Sequence, residues 1–115
     1  MTTKDIKLNE DITLVMGFIY LYYVKMHKNI KLDYLLDKLK EQDDSFSTER
    51  LNFALKMISK EKLVEFRKCI ADENSNGILN WNIKEINPEG INYIEDIKKN
   101  KQNKILVNIE LVFSK

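Results

Sequence analysis

Between Ile12 and Met26 almost no residue is polar: Leu14, Val15, Met16, Phe18, Ile19, Tyr20, Leu21, Tyr22, Tyr23 and Val24 follow one another with only Thr13, Gly17 and Lys25 among them. A helix built from this run has no face to offer water, so it must be covered on more than one side. A membrane span needs about 20 such residues, and this run is shorter and closed by Lys25, His27 and Lys28. Two placements remain. It is the central core helix of one domain, or it is shared between two subunits, because a core of this chain length rarely encloses such a helix completely. Asn9, Glu10 and Asp11 supply helix-start chemistry ahead of the run, which predicts a polar tail over 1–8 and a helix from 9 to about 28.

The next segments are amphipathic. Leu32, Leu35, Leu36 and Leu39 have the i, i+3, i+4, i+7 spacing of one helix face, with Asp33, Asp37, Lys38, Lys40 and Glu41 on the others. Gln42-Asp43-Asp44-Ser45 is a polar turn, and Ser47 is a good N-cap for a third helix reaching about Glu61 with the stripe Leu51, Ala54, Leu55, Ile58. Two short helices joined by a tight polar turn make a helix-turn-helix candidate.

After Lys62 the period changes. The stretches 63–70 and 78–86 are rich in β-branched and aromatic residues and are separated by Asp72-Glu73-Asn74-Ser75-Asn76-Gly77, so they predict a β-hairpin with a polar loop. Asn87-Pro88-Glu89-Gly90 restarts a helix, with Asn as cap, Pro where no N–H is needed and Glu complementing the dipole; Ile91, Ile94 and Ile97 carry it to about Asn100. A basic link follows. Ile105, Val107, Ile109, Leu111 and Phe113 alternate, which predicts a strand, although a helix of the same content reads alike. The domain is thus expected over 9–100, with 101–115 as a link and an apolar segment suited to dimerisation.

Composition bounds the function. In 115 residues, 43% hydrophobic and 32% charged side chains argue for one globular domain rather than disorder. One cysteine, Cys69, rules out an internal disulfide, and the opening MTTKDIKLNED lacks the apolar core of a signal peptide, so the expected compartment is the cytoplasm. Lys (17), Ile (14) and Asn (12), all with AT-rich codons, dominate while Arg and Ala appear twice each, a composition that fits an AT-rich bacterium, plasmid or phage. One His and one Cys cannot supply a His/Cys zinc site, and Gly17, Gly77 and Gly90 are too scattered for a phosphate loop. His27 suits a helix C-terminus. No catalytic constellation, cofactor site or metal site is expected, and no enzyme.

The order helix, helix, helix, hairpin, helix is that of the winged helix-turn-helix. The stretch Thr48-Glu49-Arg50-Leu51-Asn52-Phe53-Ala54-Leu55-Lys56-Met57-Ile58-Ser59-Lys60-Glu61-Lys62-Leu63-Val64 resembles the third helix of that fold running into the first wing strand. Ile86-Asn87-Pro88-Glu89-Gly90-Ile91 is similar to the strand-to-helix junction of many bacterial winged-helix proteins, where Thr-x-x-Gly precedes an apolar helix; Asn87 replaces the Thr. The resemblance, over roughly residues 10 to 100, is to YjcQ-like proteins, with PadR-like and MarR-like regulators further away and the TubR-like adaptors of partition systems a related possibility. Lys62 stands where that family usually has glycine. The resemblance implies an α+β fold of three helices, a hairpin wing and a further helix, and a third helix that enters the DNA major groove.

At 100° per residue, the face opposite the apolar stripe of that helix holds Glu49, Phe53, Lys56 and Lys60, flanked by Arg50, Asn52 and Met57. Lys and Arg neutralise phosphates, Arg pairs with guanine and Asn with adenine. With the start of the helix and the wing base added, the expected DNA-binding set is Ser47, Thr48, Arg50, Asn52, Phe53, Lys56, Lys60, Arg67 and Lys68. The net charge of +1 conceals a division: residues 45–71 hold six basic and three acidic groups, residues 72–97 one and six, and residues 98–115 five and one. Phosphate affinity follows local charge, so a basic helix is compatible with DNA, whereas Asp72 and Glu73 predict weak phosphate contact at the wing tip. One copy would bind poorly, which predicts a homodimer across two half-sites. The expected function is therefore a dimeric DNA-binding transcriptional regulator, without a membrane partner. Two alternatives stand beside it: a centromere-binding adaptor of a plasmid or phage partition system, and an interaction module that meets protein through Phe53, Met57 or the C-terminal segment.

Overall fold

The computed structural model describes residues 3–68, 81–99 and 104–113. Along the chain lie α1 (Thr3–Met26), α2 (Leu32–Gln42), α3 (Thr48–Lys60), β1 (Val64–Lys68), β2 (Trp81–Ile86), α4 (Pro88–Lys99) and α5 (Lys104–Phe113). The described chain is α+β, with five helices and one antiparallel hairpin pair. The expected hairpin turn at 72–77, the positions 69–70 (with Cys69) and 78–80 that the sequence also assigns to strands, and the link at 100–103 lie outside the described residues. No described helix is long and apolar enough to cross a membrane.

The apolar helix is central. Val15, Met16, Phe18, Ile19 and Leu21 are buried, and α1 packs against α2, α3, α4 and α5. These five side chains are covered from within the same chain, as the core-helix placement expects, while Tyr23, Val24 and Met26 at the end of the run stay about half exposed. The helix begins at Thr3 rather than Asn9, so the expected polar tail is helical from its third residue. A second expectation is corrected at the other end: 104–113 is a helix, not a strand. Leu106 and Ile109, one helical turn apart, are both buried. A Cβ on Gly17 would meet the tips of Ile109 and Leu106 at 2.6 and 2.9 Å, so α5 seats itself on the groove that this glycine leaves in α1. Leu106 falls outside the alternation, and with Ile105 and Ile109 it has the spacing of one helix face; docking on α1 selects that period.

Helix ends follow local chemistry. His27 closes α1 in the left-handed region (φ 57°), its N–H bonded to the Tyr23 carbonyl at 2.8 Å, the single-bond form of the left-handed cap. At the end of α3, Leu63 N–H reaches the Ile58 carbonyl and Lys62 N–H the Ser59 carbonyl, each at 3.0 Å, with Lys62 at φ 60°. That pair of bonds is a Schellman motif, and the two apolar residues that flank it, Ile58 and Leu63, are both buried. The turn that glycine usually makes is thus kept with a lysine in it.

The same turn is bound to the start of α4. The Asn87 N–H donates to the Leu63 carbonyl (3.0 Å) and its side-chain amide to the Lys62 carbonyl (2.8 Å). The Asn87 carbonyl accepts from Gly90 and Ile91, opening α4. Its side chain therefore ties two junctions together, where the sequence suggested a simple cap. A Cβ at Gly90 would run into the Leu63 carbonyl oxygen, so glycine is required for this approach. In the hairpin, Val64 faces Ile86 and Phe66 faces Ile83, with a bulge beside Glu65 and Phe66. Asn29 holds that irregular stretch of β2, donating to the carbonyls of Ile83 (3.1 Å) and Lys84 (3.2 Å). Across the opposite seam Tyr20 donates to Glu95 at 2.5 Å, and this hydrogen bond, helped by burial, pushes the phenol up to about 12.

Candidate nucleic-acid interface

The third helix has one dry face and one wet face. Leu51, Ala54, Leu55 and Ile58 are buried, against α1 and the base of the hairpin. Thr48, Glu49, Phe53, Lys56 and Lys60 are exposed, and Asn52 and Met57 lie at the border, half-buried. Phe53 is 51% exposed, more than any other aromatic residue whose side chain is described.

Arg50 is placed differently from its expected role. Its guanidinium forms a fork on Asp11 of α1, Nε donating to Oδ2 at 3.1 Å and Nη2 to Oδ1 at 2.7 Å. Nη1 donates to Asp43 (3.1 Å) and Ser45 (3.0 Å) in the turn before α3, and the group lies 4.3 Å above the Phe46 ring. Asp11 has only 10% of its side chain exposed, and a carboxylate in such a place is sustained by a bidentate partner. Its hydrogen bonds raise the Arg50 pKa further above its ordinary value, with Asp11 the largest cause. Arg50 is therefore the bolt between α1, the turn and α3, and its donors are committed away from the wet face. Asp11, read in the sequence as helix-start chemistry, is the residue that sequence reasoning missed. The two are 39 positions apart, so no local pattern could pair them.

Ser47 is the N-cap, its hydroxyl oxygen accepting the Arg50 N–H at 3.1 Å. Asp43 accepts the hydroxyl (2.6 Å) and N–H (2.9 Å) of Ser45. These two bonds, and then Arg50, hold the Asp43 carboxyl down at about 2.

On the strands, Arg67 is exposed and faces Asn82 in the register, and the Lys68 backbone pairs with Trp81; the Lys68 side chain lies outside the described residues. Lys84 pairs with Glu65 at 3.6 Å on the surface. Of the expected DNA-binding set, Thr48, Phe53, Lys56 and Lys60 share the wet face of α3, Arg67 stands on the strand that follows it, and Ser47 and Arg50 serve the helix start. Among the described residues no ion pair engages Lys56, Lys60 or Arg67.

A depression of about 350 Å³ lies where α3, β1 and α4 meet, lined by Ser59, Lys62, Glu65, Phe66, Asn87 and Glu89. Two carboxylates against one ammonium do not suit an anion. Among the described residues no group of three or more His, Cys, Asp or Glu side chains is placed to hold a metal ion. Comparison of the chain with protein-family models, with curated proteins and with solved structures finds no match.

Proposed function

We propose that this chain is a winged-helix protein that binds double-stranded DNA as a homodimer and acts as a transcriptional regulator. In this reading α3 enters the major groove and the hairpin of β1 and β2 is the wing. The observation that carries it is the division of α3 between a buried apolar stripe and an exposed face bearing Thr48, Phe53, Lys56 and Lys60. Lys56, Lys60 and Arg67 are the cations offered to phosphates. Each neutralised phosphate adds a small, salt-dependent increment, so this few cations per copy calls for two copies on adjacent half-sites.

Titration of the protein with the DNA upstream of its own gene, at two salt concentrations, tests the reading. Expected is salt-sensitive binding whose log–log salt slope falls by about 0.9 for each phosphate that is no longer neutralised in Lys56→Ala or Lys60→Ala. No binding at low salt overturns it, and a monomer by light scattering at micromolar concentration removes the dimer. Arg50→Ala is not a usable probe of DNA contact, because it unbolts α3. The half-exposed Phe53 ring favours a second reading, a module that meets protein through Phe53 and Met57. It gives the opposite outcome in the same titration.

A further inference from the structure

A large apolar ring at the middle of an otherwise polar helix face has no part in the core of this molecule. Phe53 projects between Glu49, one turn earlier, and Lys56 and Lys60, one and two turns later. In a helix that enters the major groove, the N-terminal residues meet base edges while later positions approach the backbone. The usual guanine reader is an arginine fork on O6 and N7. The one arginine of α3, Arg50, already gives Nε and Nη2 to Asp11 and Nη1 to Asp43 and Ser45. Lys56 and Lys60 bring point charges, which suit phosphates. Thr48, Glu49 and the half-buried Asn52 can offer hydrogen bonds to a base edge, but the largest group the exposed face offers is the Phe53 ring, which offers carbon. Only one base displays an apolar group in the major groove, thymine with its 5-methyl.

Resting on the DNA-binding reading, we propose that Phe53 is a specificity residue that covers thymine methyl groups, so that the DNA selected by this chain is set by A·T pairs at the positions under α3. Covering one methyl group is worth about fourfold in affinity.

The test compares two duplexes of the same upstream sequence, one with thymine and one with uracil throughout, which removes every 5-methyl group and keeps the pairing. The wild-type protein is expected to bind the uracil duplex about fourfold more weakly for each methyl group covered. Phe53→Ala is expected to bind both duplexes alike, with an unchanged salt slope and circular dichroism spectrum, and Phe53→Leu to keep part of the preference. Equal binding of both duplexes by the wild type overturns the proposal. So does a thymine preference that survives in Phe53→Ala, since it would then come from the DNA itself. Failure to bind either duplex at low salt overturns the DNA-binding reading and this proposal with it, a result distinct from equal binding.

Discussion

At its first turn α3 is held by a guanidinium and two carboxylates; at its last turn it is held by backbone groups that leave space for nothing larger than glycine. The first anchor is electrostatic and reaches across the fold, from Arg50 to Asp11 on α1 and Asp43 in the preceding turn. The second is steric and short-ranged, linking the Lys62–Leu63 carbonyls to Asn87 and Gly90. The two respond to different perturbations. Charge can be titrated or screened, whereas a close backbone approach can only be fitted or broken. A helix fixed in both ways presents its exposed face at one angle.

The largest expected effect breaks the steric anchor. Gly90→Ala drives a methyl into the Leu63 carbonyl and is expected to destabilise by about 3 kcal/mol, toward the upper end of overpacking costs, with the loss unchanged by salt in urea unfolding. Breaking the electrostatic anchor comes next. Arg50→Ala leaves Asp11 in a nearly closed site without its partner, and the expected loss of about 2–3 kcal/mol lies below that of a fully buried pair because part of the guanidinium is wet. A melting temperature unchanged by Arg50→Ala would sink the distinction between the two ends.

A smaller effect sharpens the contrast in the opposite direction. Lys62 holds a left-handed conformation that costs a side-chain-bearing residue about 1–2 kcal/mol, of which the greater freedom of a glycine in the unfolded chain would take back about 0.5–1 kcal/mol. Lys62→Gly should therefore stabilise the protein by about 0.5–1 kcal/mol, measurable as a higher urea midpoint with the same slope. Least is expected of Asp43, which is the exposed arm of the electrostatic anchor. Its folded pKa of about 2 lies below the ordinary 3.8, so its contribution is fully present above the ordinary value and is lost as pH falls toward 2. Between pH 4 and 2, Asp43→Asn should lose less stability than the wild type. An equal loss in both would place the acid sensitivity elsewhere.

Legibility in the sequence followed the range of the forces involved. The stripes of α2 and α3, the Ser47 cap and the Asn87-Pro88 start of α4 could be read because each is decided within one or two turns of chain. The segment 104–113 could not, since alternating and helical spacing are both present there and the choice is made by Gly17, far away in sequence. The start of α1 at Thr3 leaves little trace in the sequence, because Ile6 and Leu8 are the only apolar residues between Thr3 and Asn9 and set no helical period. On the candidate interface, the wet face of α3 was foreseen from helix geometry alone. The reassignment of Arg50 was not, because charge pairing across a fold leaves no trace in local spacing.

The seat of α5 on Gly17 also orders events in time. The apolar helix α1 leaves the ribosome well before α5, and Leu106 and Ile109 complete its cover only after α2, α3, the hairpin and α4 have followed. Until then a nascent chain carries an uncovered apolar strip, the kind of surface that recruits chaperones or drives association between unfinished molecules. Completion of the core is thus deferred to the contact of greatest sequence separation, which is also the slowest kind to form.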